Sequence, residues 1–395
     1  MIPVTAVHVR SGLLVGFLVL LSLFQCIQDI IGYLFIRTLQ VIILLHVVDY
    51  VWRRRYALLE PLCAKYPPIK DFVHKQLESR DGNIRQTDGF RLGFQVPTPK
   101  KASEAPKRPV VLITGGAMGL GRIMAGRFAA LGYNLILWDI NADALSTAAA
   151  ELKPKDSSKE DRTVTTAVVD VTDETAVTDT IATLKEDQKS VDLLILNAGI
   201  VNGQPIEKTS AKSVERLFGV NVFHLFHLTR ALLPFMKEEG WSPSSPNPRR
   251  RIVVIGSVAG YAGAGALADY CGSKAAANIF AESLSAEVRG SNVAVTLVNP
   301  YVIDTGMFRG MTQMRLFSML KPDHVVDCIM DGIRNGNNLV VVPWFFFYSI
   351  QLMKILLPWS ALPYIDKVLG ASSAMNTFQG SDSAKALSQQ SKKEE

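Results

Sequence analysis

Cysteine is scarce in this chain, with four residues among 395. Cys26, Cys63, Cys271 and Cys328 lie far apart and form no Cys-x-x-Cys pair, which is the usual spacing of a zinc site or a redox pair. The sequence also lacks any Asn-x-Ser/Thr acceptor for N-glycosylation. We therefore expect neither a disulfide framework nor a metal site, and a reducing compartment fits best.

Nucleic-acid-binding motifs are absent as well. The net charge is +6, but the basic residues are dispersed, apart from three arginines at 53–55 and three at 249–251. A charge of this kind favours an anionic lipid surface over a nucleic acid. Membrane lipid is therefore an expected partner, and nucleic acid is not.

The N-terminal part is mostly apolar. The uncharged run 11–28 has 18 residues, close to the ~20 that span a bilayer. A second run, 30–52, contains Arg37, so it is either an imperfect second span or a helix in the interface. The arginines at 53–55 place that end in the cytosol. Residues 1–56 are predicted as a helical membrane anchor, with a buried helical pair as the alternative, and 57–108 as a connecting segment with a polar linker.

Beyond this linker, short β-branched runs alternate with segments of helix length. This alternation predicts an α/β domain over 109–343, with a doubly wound, seven-stranded parallel sheet. No internal repeat or heptad competes with it. The predicted strands are 110–114, 134–139, 164–169, 191–196, 251–255, 293–298 and 339–342.

A glycine-rich stretch, TGGAMGLGR at 114–122, lies between the first predicted strand and a helix. Gly115, Gly119 and Gly121 would let the backbone turn tightly beside a pyrophosphate at the helix N-terminus, as in Rossmann-type domains. Asp139 ends the second strand, 18 residues after Gly121. A carboxylate there would accept hydrogen bonds from a ribose and repel a 2′-phosphate, so NAD is favoured over NADP.

Five separated polar positions follow in a characteristic order: Asn197 in NAG, Asn221 in GVNVF, Ser257, and Tyr270 with Lys274 four residues later. With the glycine spacing, they resemble the short-chain dehydrogenase/reductase family over residues 109–308. The continuation, including PYVIDTGMFRG and MNTFQG, resembles the membrane-bound retinol dehydrogenases and the lipid-droplet hydroxysteroid dehydrogenases.

The chemistry of these side chains agrees with that resemblance. A tyrosine with an unperturbed pKa of about 10 is a poor base at neutral pH. Lys274 lies one helical turn from Tyr270, and its charge, with an oxidised nicotinamide, would favour the phenolate. Tyr270 is therefore the expected acid/base, and Ser257 would hydrogen-bond the reacting oxygen.

The resemblance implies further roles. Asn221 would hold a water in a proton relay to the lysine, Asp170 would meet the adenine, and Thr305 would seat the nicotinamide carboxamide. The full set of expected cofactor-binding residues is Thr114, Gly115, Gly119, Leu120, Gly121, Asp139, Asp170, Val171, Asn197, Ala198, Gly199, Tyr270, Lys274, Pro300 and Thr305.

Two positions depart from the family pattern, and other candidates are weaker. Leu196 replaces the first asparagine of the family's Asn-Asn-Ala-Gly, and Tyr301 replaces the glycine that commonly follows Pro300, which restricts the backbone there. His224 and His227 have no third ligand at suitable spacing, so packing is expected for both. Cys271 is interpreted as a helix-packing residue.

The apolar run 344–357 lies between two prolines and has fourteen residues, about 21 Å as a helix, which is short for a membrane span. Trp344, Tyr348, Trp359 and Tyr364 frame it like interfacial residues. The interval 344–380 is predicted as an apolar substrate and membrane segment that could wall a lipid entrance, with a buried helix as the alternative.

The last fifteen residues, 381–395, are predicted to be a disordered tail. Lys392 and Lys393 resemble a cytosolic retrieval signal of endoplasmic-reticulum membrane proteins, and a plain charged tail is the alternative. The expected location is the endoplasmic-reticulum membrane or a lipid droplet, with the catalytic domain facing the cytosol.

The sequence as a whole predicts a membrane-anchored oxidoreductase that transfers hydride from a lipophilic alcohol to NAD, with retinol, a hydroxysteroid and a long-chain alcohol as candidates. An NADPH-dependent reductase of lipid ketones is one alternative. A catalytically idle nucleotide-binding scaffold on a membrane or lipid droplet is another. The resemblance also leaves a homodimer open.

Overall fold

The computed structural model describes residues 108–154, 162–186, 191–237, 250–312, 314 and 317–380. The predicted anchor, nearly all of the connecting segment and the predicted tail lie outside these residues. Within the described ranges, no helix combines the length and apolar character needed to cross a bilayer.

The seven predicted runs all form strands of one parallel sheet, so the predicted α/β fold is confirmed. The strand order is β3-β2-β1-β4-β5-β6-β7. Strand bounds differ from the prediction by up to two residues, because β4 begins later and β6 continues to Pro300. The strands are β1 Val110–Thr114, β2 Asn134–Asp139, β3 Val164–Val168, β4 Leu193–Leu196, β5 Arg250–Ile255, β6 Val293–Pro300 and β7 Leu339–Val342.

Helices connect and cover these strands. A five-residue π turn, Gly219–Phe223, joins α4 to α5. The helices of the described residues are α1 Gly119–Ala130, α2 Ala142–Leu152, α3 Glu174–Glu186, α4 Ala211–Phe218, α5 His224–Met236, α6 Ala268–Glu287, α7 Pro322–Arg334, α8 Phe345–Leu356, α9 Leu362–Leu369 and α10 Ala371–Ala374.

The central strands of the sheet are buried on both faces, which explains why they are nearly continuous apolar runs, whereas the edge strand β3 is partly exposed. Val111 and Ile113 of β1 face α1, α2 and α7 in one apolar layer. Their neighbours Val110 and Leu112 face α3, α5 and α6 in the other. The chain reverses its direction of winding between β1 and β4, and in such sheets this is where ligands bind, beyond the carboxyl ends of the strands.

Candidate active site

The glycine-rich stretch forms a tight turn between β1 and α1. Gly115 and Gly119 have φ angles of +62° and +52°, which favour glycine. A Cβ atom built on Gly121 would lie 2.1 Å from the carbonyl oxygen of Gly115, so a side chain cannot fit there. Met118 provides no side-chain cap to α1, which leaves the first helical turn open to an anion.

Asn197 holds this turn against the end of β4. Its Nδ2 donates to the carbonyl oxygens of Thr114 and Gly115, at 2.9 and 3.0 Å. The hydroxyl of Thr114 accepts hydrogen bonds from the backbone N–H groups of Asn197 and Ala198. Gly199 continues this loop toward Lys274, since a Cβ atom built on it would lie 3.6 Å from the lysine Nζ. The two central strands thus end in one hydrogen-bonded unit.

Two carboxylates lie at the neighbouring strand ends. Asp139 is half-buried and accepts from the N–H of Ala117 and the N–H of Asn141, each at 3.1 Å. Its carboxylate therefore faces the glycine turn. Asp170 accepts from both the N–H and the hydroxyl of Thr172, at 2.9 and 2.7 Å. The adjacent Val171 is buried in an apolar cluster at this edge of the sheet.

The last predicted cofactor-binding residues lie at the end of β6, in the loop that follows it and at the start of α1. Pro300 is buried. Thr305 faces the start of α1, because its Cβ lies 3.7 Å from a Cβ atom built on Gly119. The half-buried Leu120 also lies in the first turn of α1. The backbone N–H of Tyr301, which replaces the expected glycine, donates to Val342 at 2.8 Å and so extends the pairing of β6 with β7.

The structure brings Ser257, Tyr270 and Lys274 together. Ser257 follows β5, and its hydroxyl accepts from the N–H of Ala259 at 3.1 Å and donates weakly to the carbonyl oxygen of Pro300 at 3.4 Å. Ser257 lies close enough to the Tyr270 phenol to lower its pKa. Lys274 Nζ lies 5.9 Å from the centroid of the Tyr270 ring.

Burial dominates the electrostatics of this group. Tyr270 is 5% exposed, and desolvation raises the pKa of its phenol, while the hydrogen bond from Ser257 lowers it in part. Desolvation also lowers the pKa of Lys274 to about 8. At neutral pH the phenol therefore holds its proton and the lysine its charge. Burial thus opposes the lowering of the tyrosine pKa that the sequence led us to expect.

Asn221 lies in the π turn and uses its whole amide group. Its Oδ1 accepts from the N–H of Ile200 at 2.8 Å, and its Nδ2 donates to the carbonyl of Ile200 and to the hydroxyl of Ser273, both at 3.0 Å. Ser273 in turn donates to the carbonyl oxygen of Tyr270 at 2.7 Å. The asparagine therefore couples the loop after β4 to the helix that carries Tyr270.

Sequence reasoning missed three buried polar residues around this site: Ser273, Asn278 and Asn299. Asn278 donates to the carbonyl of Ser257 at 3.4 Å, and Asn299 donates to the hydroxyl of Tyr261 at 2.6 Å. Their signal in the sequence is a polar residue at an inward position of an otherwise apolar helix or strand. Such positions are conspicuous only once the inward face is known.

Among the weaker candidates, His224 and Cys271 are buried and His227 is half-buried. His224 is fully buried, and desolvation lowers its pKa to about 3. His227 lies 3.6 Å from a carboxylate oxygen of Glu174. Burial raises the pKa of the Cys271 thiol. No cluster of three or more His, Cys, Asp or Glu side chains suited to a metal ion occurs in the part of the chain that the structure describes.

Comparison with known proteins decides the family. Residues 109–316 match the family model described as short chain dehydrogenase. The chain belongs to the short-chain dehydrogenase family. It is therefore an oxidoreductase that uses a nicotinamide dinucleotide, and the glycine turn, the open start of α1 and the carboxylate of Asp139 fit such a cofactor.

Several members of this short-chain dehydrogenase family are similar over most of their length. Short-chain dehydrogenase/reductase family 16C member 6 of Bos taurus is 35% identical over 65% of this chain and 79% of its own. Retinol dehydrogenase 10-A of Danio rerio is 32% identical over 71% and 87%. Epidermal retinol dehydrogenase 2 of Homo sapiens is 32% identical over 72% and 88%.

Solved structures of short-chain dehydrogenases share the fold. A family member from Burkholderia phymatum in complex with NAD superposes with a TM-score of 0.54 at 22% identity, over 65% of this chain and 95% of that one. A short-chain dehydrogenase from Sphingobium yanoikuyae in complex with NADPH gives 0.53 at 26% identity, over 69% and 99%. Since one neighbour holds NAD and the other NADPH, the choice of cofactor here depends on this chain's own residues.

Proposed function

We propose that this protein oxidises a lipophilic alcohol to the carbonyl compound with NAD, using Tyr270 as the acid/base. The observation that carries the proposal is the buried group of Tyr270, Ser257 and Lys274, which lies beside the carboxyl ends of β4 and β5 and is surrounded by apolar side chains. The retinol dehydrogenases among its relatives support an apolar alcohol as the substrate.

Each side chain has a defined task in this proposal. The nicotinamide, when bound, accepts the hydride from the alcohol carbon. The Tyr270 phenol first gives up its own proton to solvent, and the resulting phenolate takes the hydroxyl proton of the alcohol. Ser257 donates a hydrogen bond to the alcohol oxygen as the charge on that oxygen changes. The positive charge of Lys274 stabilises the phenolate against the burial that otherwise disfavours it. Asn221 holds α6 at a fixed position relative to the loop after β4 through its hydrogen bonds to Ser273 and Ile200.

NAD is the proposed cofactor because of Asp139. Its carboxylate lies at the end of β2 beside the glycine turn, where it would accept hydrogen bonds from a ribose hydroxyl. The negative charge would repel the 2′-phosphate of NADP at the same position. We place the adenine beside Asp170 and Val171, and the nicotinamide beside Pro300 and Thr305.

Membrane association is proposed from exposed aromatic residues near α8. Tyr348, Trp359 and Tyr364 are 51%, 82% and 73% exposed. Tryptophan and tyrosine prefer the membrane–water interface, which suits a substrate dissolved in a bilayer. Together with the apolar N-terminal run in the sequence, this supports an enzyme of the endoplasmic-reticulum membrane or a lipid droplet, with its catalytic domain in the cytosol.

A homodimer is proposed from the apolar surface of α5 and α6. Phe223 at the end of the π turn and Phe226 in the first turn of α5 are 52% and 50% exposed, and Ile279 of α6 is 62% exposed. The rings of Phe226 and Phe280 lie 4.6 Å apart, so the two helices present one continuous patch. A second copy of the chain would cover this patch, and analytical ultracentrifugation of Phe226→Asp against the unaltered protein tests it.

The decisive experiment compares membranes containing the unaltered protein with membranes containing Tyr270→Phe. Each receives all-trans-retinol, a hydroxysteroid or a long-chain alcohol, with NAD or NADP, and reduced-nicotinamide fluorescence is followed. We expect turnover with NAD that falls by at least about a hundredfold in the variant. Equal background signals from both, with intact dinucleotide binding, would instead support a nucleotide-binding scaffold.

A further inference from the structure

Two buried asparagines lie behind the turn that carries Ser257. Asn278 of α6 is 4% exposed, and Asn299 of β6 is 0% exposed. A Cβ atom built on Gly256 would lie 2.3 Å from Oδ1 of Asn278 and 2.2 Å from Oδ1 of Asn299. The two amide oxygens therefore face the same point, immediately before Ser257 in the chain.

Neither of these oxygens has a hydrogen-bond donor among the residues that the structure describes. The nitrogen of each amide is already engaged, since Asn278 Nδ2 donates to the carbonyl of Ser257 at 3.4 Å and Asn299 Nδ2 lies 2.6 Å from the hydroxyl of Tyr261. Two acceptors that face each other in a dry site are unfavourable, because both carry partial negative charge and both lack a donor.

The contact between Asn299 and Tyr261 indicates how both oxygens can obtain donors. Its length of 2.6 Å is short for an N–H···O bond and ordinary for an O–H···O bond. The two ends of a side-chain amide have nearly the same shape, so half a turn of the Asn299 amide exchanges them without new packing. Its oxygen would then accept from the Tyr261 hydroxyl, and its nitrogen would donate to Oδ1 of Asn278.

Asn278 connects this pair to the turn that carries Ser257. Its Oδ1 lies against Gly256, and its Nδ2 lies against Gly260, where a built Cβ atom would be only 2.4 Å away. The amide therefore fits between two glycines on either side of Ser257, and its Nδ2 donates to the carbonyl of that serine. A displacement of Asn278 would displace the backbone from which the Ser257 hydroxyl extends.

We propose that Tyr261, Asn299 and Asn278 form a directed chain of hydrogen bonds that ends on the Ser257 carbonyl and positions this serine for the alcohol oxygen. The Tyr261 hydroxyl donates to Asn299, Asn299 donates to Asn278, and Asn278 donates to Ser257. The three residues act through Ser257, so they are positioning residues. This inference rests on the proposed function, in which Ser257 donates a hydrogen bond to the alcohol.

The direction of the first bond is tested without substrate. 3-Fluorotyrosine is incorporated at position 261 of the full chain in detergent, and its fluorine resonance is followed against pH with and without Asn299→Leu. Leucine has nearly the shape of asparagine and no polar atom. If Tyr261 donates to Asn299, the acceptor stabilises the neutral phenol, so its loss should lower the titration midpoint by about half a pH unit or more. A midpoint that rises or stays unchanged would overturn the chain.

Two features of this titration isolate the bond. The carboxylate of Glu282, which also raises the pKa of Tyr261, is present in both proteins. Asn338→Leu changes an exposed asparagine in the same way and should leave the midpoint where it is in the unaltered protein.

The effect on Ser257 is tested by a double-mutant cycle in turnover with all-trans-retinol and NAD. Tyr261→Phe removes only a hydroxyl, and Asn278→Leu removes the donor to Ser257. We expect each variant to lower kcat by about fivefold or more, with KM and NADH affinity within about twofold, because a contact of the transition state is weakened. The double variant should lose no more than Asn278→Leu alone, because both residues act through the same bond.

Asn338→Leu again serves as the control and should keep its kcat. Losses that multiply in the double variant, or an unchanged kcat in Asn278→Leu, would overturn the positioning role. Absence of turnover in the unaltered protein would count against the proposed function, and the fluorine titration would still decide whether the chain of hydrogen bonds exists.

Discussion

Lys274 donates a hydrogen bond of 2.9 Å to the carbonyl oxygen of Ile255, the last residue of β5. The lysine is 5% exposed, so its ammonium group is positioned by the sheet backbone in a dry environment rather than by water. The bond fixes α6 against the end of β5 and sets the charge beside Tyr270. Much of the behaviour that we expect of the site follows from this burial.

The first prediction concerns the stability of Lys274→Met as a function of pH. The lysine pKa is about 8 in the folded chain and about 10.5 in the unfolded chain. Between pH 8 and 10 the unfolded state therefore binds more protons, and the free energy of unfolding rises with pH. The unaltered protein should gain about 2 kcal/mol relative to Lys274→Met over this range, measured by urea unfolding in detergent.

The matched control is Lys208→Met, which removes an exposed lysine and should show no such pH-dependent difference. Because Tyr270 and Cys271 are present in all three proteins, the part of their titration that does not depend on the Lys274 charge cancels in the comparison. If the free energies of unfolding of Lys274→Met and the unaltered protein differed by the same amount from pH 8 to pH 10, Lys274 would not be buried as the structure shows.

The second prediction uses two glycines of α1. Gly121→Ala places a Cβ atom 2.1 Å from the Gly115 carbonyl, so the turn must open and dinucleotide affinity should fall by at least about tenfold. A Cβ atom on Gly126 would have nothing within 4 Å, so Gly126→Ala should bind the dinucleotide as tightly as the unaltered protein does. Its free energy of unfolding should rise by about 0.5–1 kcal/mol. Fluorescence titration with NADH measures both. Equal affinities would contradict the proposed binding site.

The third prediction concerns cofactor choice. Asp139→Asn removes the negative charge but keeps an oxygen that can accept from Ala117 or Asn141. The ratio of kcat/KM for NADP to that for NAD should rise by about tenfold or more, because repulsion of the 2′-phosphate is lost. Asp143→Asn, at an exposed position in the first turn of α2, is the control and should leave the ratio unchanged. The same ratio in both variants would argue against the role of Asp139.

The fourth prediction concerns Asn221→Ala. The substitution leaves the buried N–H and carbonyl of Ile200 and the hydroxyl of Ser273 without this partner, so the free energy of unfolding should fall by about 2 kcal/mol or more. Asn338→Ala removes an exposed amide and should change it by less than about 0.5 kcal/mol. Thermal unfolding followed by tryptophan fluorescence distinguishes them, and similar midpoints would count against the coupling role of Asn221.

The sheet could be predicted from the sequence because its central strands are buried on both faces. Strands such as β1 and β2 are short apolar runs with polar residues only at their ends. The grouping of Ser257, Tyr270 and Lys274 could be predicted from their spacing and the resemblance it carries. The first residue of β4 could not, because Asp192 still makes backbone hydrogen bonds to Val110 and Arg251, at 3.0 and 2.9 Å, although the regular strand begins only at Leu193.

Other features depend on tertiary packing and leave little signal in the sequence. The contact of Gly203 with Phe378 joins positions 175 residues apart, and no periodicity links them. The pKa of Tyr270 rises because apolar groups surround the phenol and exclude water from it. The spacing of residues along the chain does not predict this burial. Ser273 was overlooked for a similar reason, because it differs from an exposed serine only in the face of α6 on which it lies.

The π turn between α4 and α5 has a consequence for chain length in this region. A π turn is equivalent to an α-helix that carries one additional residue. Deleting Val220 would therefore allow a regular helix from Ala211 to Met236 and would leave α4 and α5 on the faces that they now present. The change would fall on the turn itself, where Asn221 would lose the widened backbone from which its amide reaches Ile200. A single-residue deletion here should accordingly preserve the two helices and weaken the link between Asn221 and the loop after β4.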